Sequence, residues 1–244
     1  MNLIVGQKPV LEALRANLPI EKIHIAQNSH GDVVDEIVKL TKQKNIPFKI
    51  SPQDQITRLA RNPNTQGIVA IVGTKEYSDI QELLDIARSK NEKPFFLIFD
   101  EVEDTHNLGA LIRTAVCAGA HGGILPKHHS APVNDTVVKT SAGASLQFPV
   151  ARVTNIAQTI DELKELGVWI VGTEMTADKN FTEIDYTLPV AIVIGNEAKG
   201  MRRLVKDKCD FLVRIPMKGN FESLNASVAG ALVMYEVLRK RSKL

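Results

Sequence analysis

Several familiar features are missing from this sequence, and each absence excludes something. No apolar run approaches the roughly 20 residues that a membrane-spanning helix needs, so no membrane partner is expected. The opening residues, M-N-L-I-V-G-Q-K-P-V, lack the basic start and long apolar stretch of a signal peptide, which predicts a cytoplasmic protein. Cysteine is scarce. Cys117 and Cys209 stand far apart, in neither a zinc nor a dithiol spacing, and both are expected as buried free thiols in apolar helical segments. Neither G-x-G-x-x-G nor G-x-x-x-x-G-K-[ST] occurs, which removes the dinucleotide fingerprint and the phosphate-cradling loop. A nucleotide-dependent oxidoreductase loses its support with them. There is no internal repeat and no low-complexity tract.

What is present is globular. Apolar residues make up 44% of 244 residues, which suits one or two domains with a real core. Net charge is +2 and unevenly spread: residues 1–75 carry ten Lys/Arg against six Asp/Glu, and the remainder carry twenty against twenty-two. A mildly basic front portion suits contact with RNA phosphates.

The first 75 residues alternate helical and strand signals. Val10, Leu11 and Leu14 form a helical stripe, and Ile20–Ala26 alternates like a half-buried strand. Val33 to Leu40 returns to helical spacing, and 47–50 reads as a short strand. Ser51 is placed to cap a helix with Pro52 in its first position, and a strand fills 67–73. A charged stretch, 76–93, reads as a connector or as a last helix on the first domain. From Pro94 the pattern restarts. Phe95–Phe99, Val168–Gly172, Val190–Gly195 and Phe211–Pro216 are near-continuous apolar runs, the mark of strands buried on both faces. Shorter strands are expected at 123–125 and 148–153, with helices at 107–120, 134–142, 154–166 and 224–241. Strands alternating with helices predict an α/β fold with a parallel sheet covered on both faces.

In such sheets ligands bind beyond the carboxyl ends of the strands, so the residues following the strands are the candidates. After Phe99, Asn107 stands where a helix would begin, Gly109 permits a close approach, and Arg113 lies over that glycine one turn on. After Ile194, Gly195 and Gly200 flank Glu197 and Lys199. After Ile215, Ser223, Asn225 and Ser227 open a helix whose small residues, Ala226, Ala229, Gly230 and Ala231, suggest tight packing. Each loop alone is equally compatible with an ordinary capped helix. Three of them on one sheet point to a shared site.

Together the three segments resemble the motifs of one family. N-x-G-x-x-x-R-T-A at 107–115, I-G-N-E-A-K-G-M at 194–201 and I-P-M-K-G-N-F-E-S-L-N-A-S-V-A at 215–229 are similar, in order and spacing, to the three motifs of the SpoU/TrmH (SPOUT) RNA 2′-O-methyltransferases. Ala198 stands where the second motif commonly has a glycine, with Glu197 kept. The resemblance implies a SPOUT α/β domain over 94–244 with a deep trefoil knot, an exception to the rule against threaded chains. It also implies a small ribosomal-protein-like RNA-binding α/β domain over 1–75 joined through 76–93. The layout most resembles the RlmB-type branch, which methylates a guanosine in large-subunit (23S) rRNA; tRNA, another rRNA site (including the antibiotic-resistance type), and a non-enzymatic assembly factor are the alternatives.

The resemblance further implies S-adenosyl-L-methionine as cofactor, no metal, and a homodimer in which a catalytic arginine crosses the interface. Backbone contacts to the cofactor map onto Gly195, Ile215 and Leu224, with Thr173, Gly200 and Met217 added as cofactor-binding candidates. Arg113 is the expected catalytic group. A guanidinium is a poor base at neutral pH, so its expected work is to stabilise developing alkoxide charge. Asn107 and Asn225 would orient the ribose and Arg113, Glu197 would hold Arg113 or another RNA-contacting group, and Ser223 would bond near the reacting oxygen. Among the histidines, His106 and the pair His128–His129 have no supporting carboxylate spacing, and Lys127 and His128 are candidates for phosphate contact.

Overall fold

The computed structural model describes residues 2–16, 18–72, 77–219 and 223–242. The expected strand's end at Gly73 and residues 220–222 of the third motif lie outside them. In chain order the elements are β1 (Asn2–Val5), α1 (Gln7–Arg15), β2 (Ile20–Ala26), α2 (Asp32–Gln43), β3 (Phe48–Ser51), α3 (Gln53–Ala60) and β4 (Ile68–Val72). Then follow α4 (Ile80–Ser89), β5 (Phe95–Phe99), α5 (Thr105–Cys117), β6 (Gly122–Pro126), α6 (Asp135–Thr140), α7 (Ala144–Gln147), β7 (Val150–Val153), α8 (Ile156–Glu165) and β8 (Trp169–Thr173). The chain finishes with β9 (Lys179–Asn180), a 3-10 turn at Phe181–Glu183, β10 (Val190–Ile194), α9 (Arg203–Lys208), β11 (Phe211–Arg214) and α10 (Ala226–Arg241).

The chain divides into two compact units, 1–76 with 133–147, and 77–132 with 148–244. The patterning had drawn a continuous boundary instead. The first unit is a four-stranded sheet in the order β1-β4-β2-β3, with β4 antiparallel to β1 and β2, and β3 parallel to β2. Alternation along β4 decides its layers. Ile68, Ala70 and Val72 pack with Val10, Leu11 and Leu14 of α1 and Val34 and Ile37 of α2, while Val69 turns the other way onto Ile56 of α3. Val138 of α6 and Leu146 of α7 join the larger core, which is why that segment groups with the first unit. Ser51 does not cap α3: it is a buried strand residue whose hydroxyl has no partner among the described residues, and Pro52 occupies the cap position.

The second unit is a seven-stranded sheet, β7-β6-β5-β10-β8-β11-β9, with every pairing parallel, as expected. All five residues of both β5 (F-F-L-I-F) and β10 (V-A-I-V-I) are buried, so these central strands are covered on both faces. On one face Phe96, Ile98, Ala191 and Val193 meet Leu83 and Leu84 of α4, Ile156, Ile160 and Leu163 of α8, and Val205 of α9. Residues 76–93 thus hold a helix of the second unit's own core, begun by a full capping box between Asp79 and Glu82. Against the other face lie α5 and α10. A Cβ on Gly230 of α10 would come 2.5 Å from Leu111 of α5 and 3.2 Å from Ile194, so the absent side chain lets α10 settle onto α5 and β10. The far end of α10 is stapled by Arg241, which donates to the carbonyls of Lys93 (2.6 Å), Pro94 (3.0 Å), Tyr186 (2.8 Å) and Leu188 (2.7 Å). Burial lowers its guanidinium pKa to about 10.

The cysteines differ from expectation. Cys117 is exposed on α5, and Cys209 is only partly buried at the end of α9. Burial beside Asp210 pushes the Cys209 thiol up to about 12, so it behaves as an inert packing group against Gly172.

Candidate active site and cofactor cavity

The site grows from the carboxyl ends of β5, β8, β10 and β11. After β10 the chain folds back on itself. Asn196 and Gly200 exchange backbone hydrogen bonds of 3.0 and 2.8 Å. The Asn196 side chain accepts from the amides of Ala198 (3.0 Å) and Lys199 (3.2 Å) and donates to the Glu101 carbonyl (2.9 Å). Gly195 is required by this closure: a Cβ there would lie 2.5 Å from backbone atoms of both Gly200 and Met201, which cannot step aside. Gly200 closes the loop with φ +67°, the left-handed region that favours glycine.

The loop's exit is fixed to β5. Asp100, fully buried, accepts from the Arg202 amide at 2.8 Å and from its guanidinium at 2.7 and 2.6 Å. A buried carboxylate demands such pairing. Asp100, Asn196 and Arg202 escaped the sequence reading. The available signal was an aspartate directly after a wholly apolar strand.

Under this loop lies a cavity of about 350 Å³. The ends of β8 and β11, the 195–200 loop and the first turns of α10 line it. Thr173, Gly195, Gly200, Ile215, Met217 and Leu224, the six cofactor candidates, all face it, as do Glu197 and Ser223. Glu174 adds a second carboxylate, which Lys206 at 2.9 Å holds below the usual carboxylate range. The volume falls in the range of about 300–1,000 Å³ typical of small-ligand sites. Apolar walls and two carboxylates suit a ligand that is part aromatic, part cationic.

Beside the cavity three elements converge. α5 begins at Thr105, capped by Asp104, whose carboxylate takes the Asn107 amide at 2.7 Å; Asn107 is therefore a first-turn residue and not the cap. Its side-chain amide donates to Glu197. Asn225 caps α10 through Oδ1, accepting from the amides of Ser227 (2.9 Å) and Val228 (3.3 Å). Its Nδ2 is left to donate to Asn107 Oδ1 (3.1 Å) and Glu197 Oε1 (3.4 Å). Glu197 thus binds the two asparagines; its expected partner was Arg113 or another RNA-contacting group, and Arg113 is not bound to it. Arg113 projects from α5 into solvent and makes no hydrogen bond or ion pair among the described residues. Six residues separate it from Asn107, which turns it about 120° away around the helix.

Comparison with known proteins identifies this arrangement. Residues 94–235 match the family described as SpoU rRNA Methylase, and residues 3–78 match the family described as RNA 2′-O ribose methyltransferase substrate binding. The chain belongs to the SpoU methylase family. It is a SpoU/TrmH-type RNA methyltransferase preceded by a substrate-binding module. A Bacillus subtilis protein named as a TrmH family tRNA/rRNA methyltransferase, YacO, is 45% identical over 98% of this chain and 96% of its own. Among solved structures, the SpoU methyltransferase AviRb of Streptomyces viridochromogenes, in complex with AdoMet, superimposes with a TM-score of 0.81 at 26% identity over 98% of this chain and 90% of its own. An AdoMet-bound rRNA methyltransferase from Sinorhizobium meliloti gives 0.80 at 28% identity, over 98% and 87%. Among the described residues no helix of this methyltransferase is long and apolar enough to cross a membrane.

Proposed function

We propose that this cytoplasmic enzyme methylates the ribose 2′-hydroxyl of a guanosine in large-subunit (23S) rRNA, with S-adenosyl-L-methionine as donor. The observation that carries the reading is Glu197, which belongs at once to the cavity wall and to the asparagine cluster beside it. A ligand in the cavity and a polar acceptor at the cluster would meet there. The cofactor, when bound, supplies an electrophilic methyl group, so no metal is called for.

The chain's own residues supply the rest. The 195–200 loop, Thr173, Ile215, Met217 and Leu224 would hold the cofactor. Glu197 fixes the amides of Asn107 and Asn225, leaving them to orient the ribose, and Ser223 would bond near the reacting oxygen. Arg113, always charged, would stabilise the alkoxide as its proton leaves.

In one chain Arg113 does not reach this cluster. Around it α5 and α10 expose Val116, Val228, Leu232 and Tyr235, each at least 40% accessible. Such an apolar stripe favours a second copy, and a homodimer that places Arg113 of one chain at the cluster of the other completes the site. Residues 1–75 would serve as the RNA-binding domain and 94–244 as the catalytic domain, with 76–93 joining them through a helix of the second unit's core and 133–147 grouping with the first unit. The deep knot belongs to the same reading. Its support is the chain's path from β11 past the cavity and back, as α10, to β10.

The test is methyl transfer from tritiated S-adenosylmethionine to unmodified large-subunit rRNA, small-subunit rRNA and tRNA, with nucleoside digestion. Label in 2′-O-methylguanosine from large-subunit rRNA is expected. Label in another RNA or nucleoside replaces the substrate and keeps the chemistry. A protein that binds no cofactor and labels none of the three is an RNA-binding factor instead.

A further inference from the structure

The carboxyl ends of β6 and β7 carry cations that no step above uses. β6 ends at Pro126 and runs into Lys127, His128 and His129, all exposed. The Lys127 amide donates to the Val153 carbonyl at the end of β7 (2.9 Å), and Arg152 of β7 returns a bond from its guanidinium to the Lys127 carbonyl (2.7 Å). That guanidinium lies 5.0 Å from the centre of the Tyr77 ring, which is itself 38% exposed.

The loop is fixed further along. Ser130 donates its hydroxyl to the Pro126 carbonyl (2.7 Å), and the Ala131 amide donates to Val102 (2.9 Å), in the segment that leads into α5 and Asn107. Glu103 lies 4.0 Å from His129 Nδ1. The Lys127 and His128 side chains have no hydrogen bond or ion pair among the described residues.

The placement is what matters. Sheet order runs β10, β5, β6, β7. Three strand spacings, roughly 14 Å, therefore separate the glutamate loop after β10 from the cations at β7, along one edge. Lys127, with His128 beside it on fixed backbone and neither side chain bonded among the described residues, complements a phosphate chain. An exposed aromatic ring backed by an arginine offers a stacking face to a base.

We infer that this edge holds the RNA strand flanking the target nucleotide, with Lys127 and His128 on phosphates and the Tyr77–Arg152 pair against a base. The inference rests on the methyl-transfer reading above. It gives the second unit an RNA grip of its own: Lys127, His128 and Arg152 lie outside the matched substrate-binding module at 3–78, and Tyr77, at the end of that match, belongs to the second unit.

The experiment measures anisotropy of a fluorescein-labelled large-subunit rRNA transcript over a series of KCl concentrations. The wild-type chain is compared with K127E/H128E, with the milder K127Q/H128Q, with Tyr77→Ala and with Lys90→Glu, a charge reversal at the end of α4. K127E/H128E is expected to weaken RNA binding about tenfold and to lower the log–log salt slope by about one to two. The Gln pair should lose less, Tyr77→Ala should lose affinity with the slope kept, and Lys90→Glu should change little. Calorimetric affinity for S-adenosylmethionine should be unchanged throughout. Wild-type protein that binds and methylates RNA, with both double variants keeping its affinity and slope, overturns this surface alone. Wild-type protein that neither binds nor methylates any transcript overturns the functional reading and the surface together.

Discussion

The two sides of the site are made of different materials. The cofactor side is backbone: a loop closed on itself by Asn196 and Gly200, possible only because Gly195 has no Cβ, with small residues of α10 for a floor. The acceptor side is side chains: two asparagines on one glutamate, and an arginine facing away from them. A backbone wall is preorganised when the chain folds, whereas a side-chain cluster can be completed by something arriving from outside. On the proposed reading, one chain therefore carries a finished cavity and an acceptor cluster that its own Arg113 does not reach.

Changes on each side should break different steps. The largest effect is expected from Gly195→Val, whose side chain collides with backbone. Cofactor affinity should fall at least about a hundredfold, or roughly 2.7 kcal/mol, by calorimetry. Near-normal affinity would show that the loop is softer than its geometry. Arg113→Ala should do the opposite: single-turnover methyl transfer falls on the order of 10²–10³-fold and calorimetric affinity stays. Mixing Arg113→Ala with Glu197→Ala chains should restore part of the activity if arginine acts across a dimer, and no recovery would place its action within one chain.

Asp100→Ala tests the boundary between the two sides. Removing the carboxylate that takes the Arg202 amide and guanidinium should cost about 1–3 kcal/mol of stability, read by denaturant unfolding, because Arg202 is half-exposed and keeps Glu101 nearby, and should weaken cofactor binding through the freed loop. Asn225→Asp is finer. It keeps a cap acceptor for α10 while losing the donor to Glu197 and Asn107, so turnover should drop about tenfold with the melting temperature almost unmoved. A matching loss of melting temperature would make Asn225 a structural cap and nothing more.

The smallest effect comes from the opposite end of the sheet. His121 is buried, its Nδ1 accepting from the Phe95 amide (3.1 Å) and its Nε2 facing Glu92 (3.0 Å). Burial, against the pull of Glu92, lowers its pKa below 6.5. The neutral ring's contribution is present above the unfolded value of about 6.5 and is lost as pH falls through the lower folded value. Melting temperature should decline over that window in the wild type and less steeply in His121→Gln, with cofactor affinity unaffected by the substitution.

What the sequence revealed follows the same division. β5 and β10 were legible because a strand buried on both faces has no polar alternation to hide it, and the glycines after β10 marked the cavity loop. The two-residue β9 and four-residue β1 were too short to carry a period. Asp100 and Arg202 are 102 positions apart, and Asn107 and Glu197 are 90 apart, so neither pairing leaves a local pattern. Cys117 was misjudged from its apolar neighbours, although its spacing of four and eleven from Arg113 and His106 puts it on their exposed face. The grouping of 133–147 with the first unit rests on Val138 and Leu146 filling a core whose other members lie before residue 73.

The staple at Arg241 has a consequence for the order of assembly. α10 brings Asn225 to the site with its first turn and ties the amino ends of β5 and β10 with its last, through carbonyls up to 148 positions earlier. During synthesis nothing before α10 can supply either end. A chain still short of Asn225 thus has its central strands but no closed asparagine–glutamate cluster. The asparagine–glutamate cluster therefore closes only once this helix has docked.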